Sequence, residues 1–219
     1  MTSDDFRIIP SPRRKRVAFR IGDDGVPEIL VPQRFDTAHI HRIFRENFAV
    51  IEKLKQRVIR RQTPSFTEGA EFMFLGKMYP LHLTHRLKIF DNSFMVPDGN
   101  ADEIKSSLIS LYRELAAVVI KKRLTAMVNK TGLSPQKVRI SSATTNWGSC
   151  SGKKTVSFAW QLVQCPPELI DYVIIHELSH LKELNHSPAF WKTVAEFIPD
   201  YRIKRGQLKK ISFQLPRWY

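Results

Sequence analysis

Residues 172–191 read YVIIHELSHLKELNHSPAFW, and this stretch determines how the rest of the chain is interpreted. It contains the pattern H-E-x-x-H, formed by His176, Glu177 and His180. On an α-helix, residues at i and i+4 lie about 40° apart around the axis, so both imidazoles can face one ion. Glu177 is turned about 100° from His176 and can act as a general base without being a ligand. The stretch therefore predicts a helix that carries a metal site.

The third ligand decides the class of metal site. His186 follows the second histidine by six residues. The helix is expected to end near Leu184, and a left-handed Asn185 would then return His186 to the metal. The alternative is Glu196, on the next predicted helix, which would give a His-His-Glu site. We favour His186 because its spacing equals that of the three-histidine zincins. One Zn²⁺ per chain is the expected cofactor, since three imidazoles with an open position suit zinc.

A buried helix without a metal is the simplest alternative for this stretch. Its histidines would then be satisfied by hydrogen bonds alone. The apolar residues of the stretch suit a helix inside a domain in either case. However, placing three imidazoles and a carboxylate around one apolar helix is costly without an ion. We therefore favour the metal site.

The sequence WGSC, at residues 147–150, supplies candidate substrate contacts. Trp147 can form the wall of a pocket, and Gly148 permits a close backbone approach. Ser149 and Cys150 are small enough to leave room for a ligand. The alternative is a tight turn that packs the tryptophan into the core. Cys150 is not expected to be a nucleophile, because nothing in the local sequence activates it.

Several segments resemble the YgjP-like metallopeptidase family, which is related to the SprT-like zincins. They are ELIDYVIIHELSHLKELNHSPAFW, RISSATTNWGSCSGKKTVSFAWQLV and FIPDY, with a weaker similarity through SPRRKRVAFRI and FLGKMYPL. The resemblance implies a small metal-dependent hydrolase with a catalytic carboxylate at Glu177 and ligands at His176, His180 and His186. It also implies that a strand at residues 155–160 lies beside the cleft and can pair with an extended substrate.

The first part of the chain, residues 1–100, predicts a β-rich region with one helix. Residues 1–15 are expected to form a mobile basic arm, because Pro10 and Pro12 oppose regular structure. Strands are predicted at 17–21 and 29–31, a helix capped by Asp36 or Thr37 to about residue 62, and a meander of strands over 72–96. A break at residues 97–100 is the predicted domain boundary.

The second part, residues 101–219, predicts a zincin-like catalytic domain, so that the fold class is α+β. Its order is a long helix, a small mixed sheet and the active-site helix. The long helix should span 101–130, end before Gly132 and bury Leu108, Leu111, Leu115, Val118 and Val119. Strands are predicted at 138–142, 147–151 and 155–163. A further helix over 189–198 should begin at Ser187 and Pro188.

Composition and charge limit where the protein acts and what it binds. The 219 residues are 42% hydrophobic, enough for one substantial domain, and the two cysteines match no zinc or disulfide framework. The N-terminus lacks the features of a signal peptide, and no apolar run approaches the roughly 18 residues of a membrane span. We therefore expect a cytoplasmic protein that is not associated with a membrane. The net charge of +14 suggests nucleic acid or a nucleotide as a partner, and the alternative is only a solvated basic surface. The basic residues cluster at 13–16, 60–61, 121–123, 153–154, 204–205 and 209–210.

These patterns together predict a zinc-dependent hydrolase, and a metallopeptidase acting on a peptide or protein is the leading hypothesis. One alternative is a metal-dependent hydrolase of a non-peptide bond, such as a nucleotide phosphoanhydride. Another is a nucleic-acid-associated protein with a protease-like domain. Tyr172 and Tyr201 are the candidates for stabilising an oxyanion, although spacing alone selects neither.

Overall fold

The computed structural model describes residues 6–12, 14–22, 26–59 and 64–215. Among these residues, one compact unit contains 6–59 and 213–215, and a second contains 64–212. Both strands and helices are present, which confirms the predicted α+β class. Parts of some predicted features lie outside the described residues, namely Arg13, Arg60 and Arg61 of the basic clusters, the arm residues 1–5 and the helix end at 60–62.

The first unit is built on a three-stranded sheet in the order β1-β3-β2. Its strands are β1 (Arg7–Ser11), β2 (Ala18–Ile21) and β3 (Pro27–Pro32). β1 is parallel to β3, whereas β2 is antiparallel to it. The prediction of a mobile arm is therefore wrong over β1. Pro10 is tolerated there because β1 is an edge strand, on which one missing backbone N–H can face away from the ladder.

Two helices follow this sheet in the first unit. The 3-10 helix Thr37–His39 leads into α1 (Ile40–Glu46), and α2 spans Phe48–Ile59. The single predicted helix is interrupted at Asn47, whose side-chain amide donates to the Ile43 carbonyl oxygen at 2.9 Å. Asp36 accepts from the Ala38 N–H at 2.9 Å, as expected of a residue at the helix start. Helices and sheet share one apolar cluster, formed by Phe6, Ile29, Val31, Ile40, Phe44 and Ile51.

The second unit begins with a four-stranded sheet. Its strands are β4 (Glu71–Phe74), β5 (Lys77–Thr84), β6 (Lys88–Phe90) and β7 (Ser93–Pro97). The prediction of strands here is confirmed, but the meander is wrong, because the order is β4-β5-β7-β6. β7 returns to pair in parallel with β5, and β6 is left at the edge.

The long helix α3 spans Ala101–Thr131, close to its predicted bounds. Asn100 accepts from the Glu103 N–H at 3.1 Å, and the Glu103 carboxylate accepts from the Asn100 N–H at 2.8 Å. Gly132 ends the helix with a φ of 69°. The break at 97–100 therefore contains a helix cap, and the boundary predicted there falls inside the second unit.

The buried face of α3 joins the four-stranded sheet to the rest of the second unit. The Tyr112 hydroxyl donates to the Met73 carbonyl oxygen at 2.6 Å, and its ring lies 5.0 Å from that of Phe94. The predicted apolar face is wrong at Val118, which is 67% exposed. Apolar spacing on α3 fits two overlapping stripes, and only packing selects one. The buried stripe consists of Ile104, Leu108, Leu111, Tyr112, Ala116, Ile120 and Leu124.

Another sheet of the second unit, with three strands, precedes the helix that carries His176. It consists of β8 (Lys137–Ser141), β9 (Gly148–Cys150) and β10 (Thr155–Ala159), in the order β8-β10-β9. The expectation that the strand at residues 155–160 can pair with an extended substrate is wrong. β10 is parallel to β8 and antiparallel to β9, so both of its edges are paired. The edge strand on this side of the sheet is β9.

Three helices complete the second unit: α4 (Pro167–Ser179), α5 (Pro188–Phe197) and α6 (Tyr201–Gln214), of which α6 continues past residue 212. Arg123 of α3 donates two hydrogen bonds to Asp171 of α4, at 2.8 and 2.7 Å. The prediction of α5 is confirmed, and the Ser187 hydroxyl accepts from the Phe190 N–H as its N-cap. Over the described ranges, no helix combines the length and the apolar character needed to cross a bilayer.

Candidate metal centre

The end of α4 positions two of the three predicted histidines. His176 lies in its last turn, and His180 is the residue directly after it. Their ring centroids are 5.2 Å apart, as the i, i+4 spacing predicts. α4 is apolar on most of its surface, and it packs against α3, α5 and β9. The imidazoles are therefore held on a helix with little freedom to move.

α4 is shorter than the sequence suggests, and the connection that follows it is longer and contains 3-10 turns. α4 ends at Ser179, whereas the predicted end lies near Leu184. The N–H groups of Leu181 and Lys182 each bond to the carbonyl oxygen three residues earlier, at 3.0 Å. Such 3-10 bonds satisfy the last carbonyl groups of a helix. The left-handed conformation predicted for Asn185 is wrong, because Asn185 is not among the described residues with positive φ.

His186 follows this turn and completes a cluster of three imidazoles. Its Nε2 atom lies 3.0 Å from Nε2 of His176. Candidate ligand atoms of His176, His180 and His186 all lie within 4.8 Å of one another. Across the part of the chain that the structure describes, this is the one group of His, Cys and acidic side chains close enough to share an ion. Glu196, the rival third ligand, is exposed on α5 and lies outside the group.

The hydrogen bonds of these rings favour an ion at their centre. His180 donates through Nδ1 to the Glu183 carbonyl oxygen at 2.9 Å, so its Nε2 atom retains a lone pair. Two imidazole nitrogens 3.0 Å apart, as in His176 and His186, can hold at most one proton between them. Nδ1 of His176 is buried and has no partner among the described residues. The donor set therefore fits a metal ion better than it fits a network of internal hydrogen bonds.

Two of the histidines are also kept neutral. Burial, followed by the proximity of His180 and His186, lowers the pKa of His176 to about 3. Burial, followed by the nearby His180 and Arg205, lowers the pKa of His186. A neutral imidazole offers the lone pair that a metal requires. The rings of His176 and His186 can therefore act as ligands at neutral pH.

Aromatic rings from α5 support the cluster. Phe190 is fully buried and stacks on His180, with centroids 4.4 Å apart and planes at 28°. It also presents its ring to His176 and His186, at 4.9 and 4.8 Å. Trp191 stacks on His186 at 5.6 Å. Both aromatic residues therefore pack directly on the histidines.

Glu177 lies against the edge strand β9. Its side chain is buried, and a Cβ added to Gly148 would lie 2.7 Å from its Cγ and 2.8 Å from its Oε1. Gly148 thus permits the close approach that the sequence predicts, and the group that approaches is the Glu177 side chain. Burial raises the pKa of Glu177 to about 7. A carboxylate with this pKa can both accept and donate a proton near neutral pH.

A cleft of about 710 Å³ opens over the histidines. All four residues predicted as substrate contacts, 147–150, lie in its wall. The Trp147 indole N–H donates to the Ser212 hydroxyl at 2.9 Å, which fixes the ring beside the cleft. Burial and the Glu177 charge raise the pKa of Cys150, so its thiol stays protonated rather than becoming a nucleophile. The cleft is further lined by Thr145, Asn146, Tyr172, Val173, Leu184, Arg205 and Leu208.

Two of the lining residues, Arg205 and Leu208, come from α6, which the sequence analysis does not predict. A usable signal was present, because Tyr201, Arg205, Leu208 and Ser212 recur at helical spacing. Of the two tyrosines considered for oxyanion stabilisation, Tyr172 lines the cleft. Tyr201 instead stacks on Trp191, with centroids 5.0 Å apart and planes at 15°.

Similarity to known proteins identifies the family of the chain. No curated protein matches the chain. Among solved structures, the metallopeptidase zymogen abylysin of Pyrococcus abyssi is 24% identical, with 42% of this chain and 92% of that one covered and a TM-score of 0.39. The metallopeptidase zymogen jannalysin of Methanocaldococcus jannaschii is 24% identical, with 44% of this chain and 97% of that chain covered and a TM-score of 0.37. Residues 15–211 match the YgjP-like metallopeptidase domain, and the chain therefore belongs to this family of metallopeptidases.

Proposed function

We propose that this chain is a zinc-dependent metallopeptidase that hydrolyses a peptide or protein bound in the cleft. The observation that carries the proposal is the cluster of His176, His180 and His186 beside the buried Glu177. Membership of a metallopeptidase family supports the same reaction class. The nucleotide and nucleic-acid alternatives raised by the sequence gain no support from the family.

The three histidines would hold one zinc ion. Three imidazoles around an open position bind zinc more readily than they bind harder cations. A bound zinc ion would supply Lewis-acid activation of water and of the scissile carbonyl. The Glu183 carbonyl oxygen would keep His180 in the tautomer that binds through Nε2, because it accepts a hydrogen bond from the Nδ1–H group.

Glu177 would act as the general base and then as the general acid. Its carboxylate would accept a proton from the attacking water and later return it to the leaving amine. The raised pKa of about 7 suits both steps, because neither protonation state is strongly favoured near neutral pH. Gly148 would leave room for the carboxylate in this position, since the side chain of any larger residue would overlap it.

The edge strand β9 would bind the substrate backbone. β9 pairs with β10 on one side and ends the sheet on the other. Its outer backbone N–H and C=O groups could therefore pair with an extended peptide, as in β-strand addition. Ser149 is exposed on this strand, and Trp147 and Leu184 line the cleft around it. A peptide bound in this way would lie next to Glu177, which packs against Gly148.

The test is peptide hydrolysis by zinc-supplied protein, read by mass spectrometry on a defined peptide mixture. Wild type should release fragments, whereas Glu177→Gln should bind the same amount of zinc and cleave at least about 100-fold more slowly. Glu196→Gln is the matched control, because Glu196 is exposed and lies outside the histidine cluster. It should behave as wild type.

Two results would contradict this proposal. One is a Glu177→Gln variant that cleaves peptides at the wild-type rate. The other is hydrolysis of nucleoside triphosphates by wild type without hydrolysis of any peptide, which would instead favour the non-peptide alternative.

A further inference from the structure

The charges in the cleft are unevenly distributed. Among the described residues that line it, Arg205 carries the one permanent positive charge, and Glu177 is the one acidic side chain. Glu177 is already engaged, because it packs against β9 beside the histidines. The wall formed by α6 therefore presents a cation to whatever enters the cleft.

Arg205 is held in position but is not neutralised. Its guanidinium carbon lies 5.2 Å from the centre of the Trp191 ring, a cation–π contact that leaves the N–H groups available. Within the described ranges it forms no ion pair with a carboxylate, whereas Arg123 is paired through two hydrogen bonds with Asp171. A planar guanidinium on an aromatic ring is well suited to bind a carboxylate through two parallel hydrogen bonds.

The guanidinium also lies close to the metal centre. Trp191, on which it rests, stacks on His186 in turn. Arg205 on the α6 side and Tyr172 on the α4 side both line the cleft. The cation is thus within electrostatic reach of both walls.

We propose that Arg205 is a specificity-determining residue that binds a carboxylate of the substrate peptide. This inference rests on the proposed peptidase function and adds the class of peptide that the site prefers. The carboxylate is either the C-terminus of the peptide or the side chain of an Asp or Glu residue near the scissile bond. Both present the same two oxygens to the guanidinium.

The experiment compares one cleavable peptide in three matched forms. The first is amidated with Gln at a chosen position, the second has a free C-terminus, and the third is amidated with Glu replacing Gln. Wild type should show kcat/KM about 10- to 100-fold higher for one of the carboxylate forms than for the neutral form. The form that gains identifies the source of the carboxylate.

Two substitutions on α6 complete the design. Arg205→Met should bring the ratio between carboxylate and neutral forms close to one, and Arg205→Lys should restore part of it, because a lysine lacks the planar pair of donors. Arg202→Met is the matched control. Arg202 lies over Tyr201 as Arg205 lies over Trp191, but it is not among the described residues that line the cleft. It should keep the wild-type ratio.

Two outcomes would overturn the inference while leaving the proposed function intact. One is equal use of all three peptides by wild type. The other is an Arg205→Met variant that loses the same factor on all three, which would show that the guanidinium serves the reaction itself.

A binding measurement separates this inference from the proposed function. If wild type cleaves no peptide, the same three forms carrying a fluorescent label can be bound to Glu177→Gln protein and followed by anisotropy. A carboxylate form should bind about 10- to 100-fold more tightly than the neutral form, and this preference should be lost in the double variant Glu177→Gln/Arg205→Met. That result would support the role of Arg205 even if the proposed peptidase function fails. Equal dissociation constants for all three forms would overturn it.

Discussion

Gly148→Ala should displace the Glu177 carboxylate and leave the three histidines untouched. The new Cβ would lie 2.7 Å from Cγ of Glu177, 2.8 Å from Oε1 and 2.9 Å from Cδ. Non-bonded carbon atoms normally approach to about 3.5–4.0 Å, so the Glu177 side chain must move by roughly 1 Å. It has little room to do so, because it is only 5% exposed and the nearest atom is close to the helix backbone.

The expected loss is large because the proposed mechanism depends on the position of the Glu177 carboxylate. A misplacement of about 1 Å can cost about 100-fold in rate, and we expect kcat/KM for peptide hydrolysis to fall by about that factor. Overpacking a filled site costs about 1–3 kcal/mol in the free energy of unfolding. Zinc binding should be retained, since the overlapping atoms belong to Glu177 and not to the histidines.

The assay pairs Gly148→Ala with Gly152→Ala and measures peptide hydrolysis, bound zinc and thermal unfolding in each. A Cβ on Gly152 would meet nothing within 4 Å among the described residues, so this control should match wild type. Wild-type turnover in Gly148→Ala would refute the reasoning, because it would mean that Glu177 does not need its observed position. Loss of zinc together with activity would refute it as well, by showing that the substitution acts on the ligands.

Three further predictions concern the charge and packing of the site. Burial raises the pKa of Glu177 from 4.5 to about 7, so the ionisation of Glu177 destabilises the metal-free fold as the pH rises through 7. Glu177→Gln should therefore raise the free energy of unfolding by up to about 3 kcal/mol at pH 8 and by almost nothing near pH 4. Denaturant titration at the two pH values measures this difference. Burial lowers the pKa of His176 to about 3 and also lowers that of His186, so bound zinc should be retained well below the ordinary imidazole pKa of about 6.5 and be released only in more acidic solution; dialysis at stepped pH measures where it is lost. Phe190→Leu should weaken zinc binding about tenfold, since Phe190 stacks on His180; a chelator competition assay measures this affinity, and unchanged affinity would contradict a supporting role.

Features set by neighbouring residues could be predicted from the sequence. The spacing of His176 and His180 follows from the helical repeat, and the starts of α3 and α5 follow from side chains that cap the next few N–H groups. His186 is also close to its helix along the chain, so its approach was predictable even though the turn is not made by a left-handed Asn185. These interactions span only a few residues, and local chemistry determines them.

Features set by distant residues could not be predicted in the same way. The contact between Gly148 and Glu177 depends on how β9 packs against α4, and sequence spacing carries no information about that packing. The parallel pairing of β5 with β7 and the central position of β10 are likewise choices among several strand orders with similar patterns. Arg205 reaches the cleft only because α6 packs there, and helical spacing in the sequence indicates the helix but not where it packs.

The most direct test of the central claim is the metal content of the purified protein. Elemental mass spectrometry after dialysis should find about one zinc ion per chain in wild type, little in His186→Ala, and the full amount in Glu196→Ala. That pattern would establish the three-histidine centre on which the proposed hydrolysis depends. A wild-type protein that binds no metal even when zinc is supplied, or a Glu196→Ala variant that loses it, would contradict the assignment.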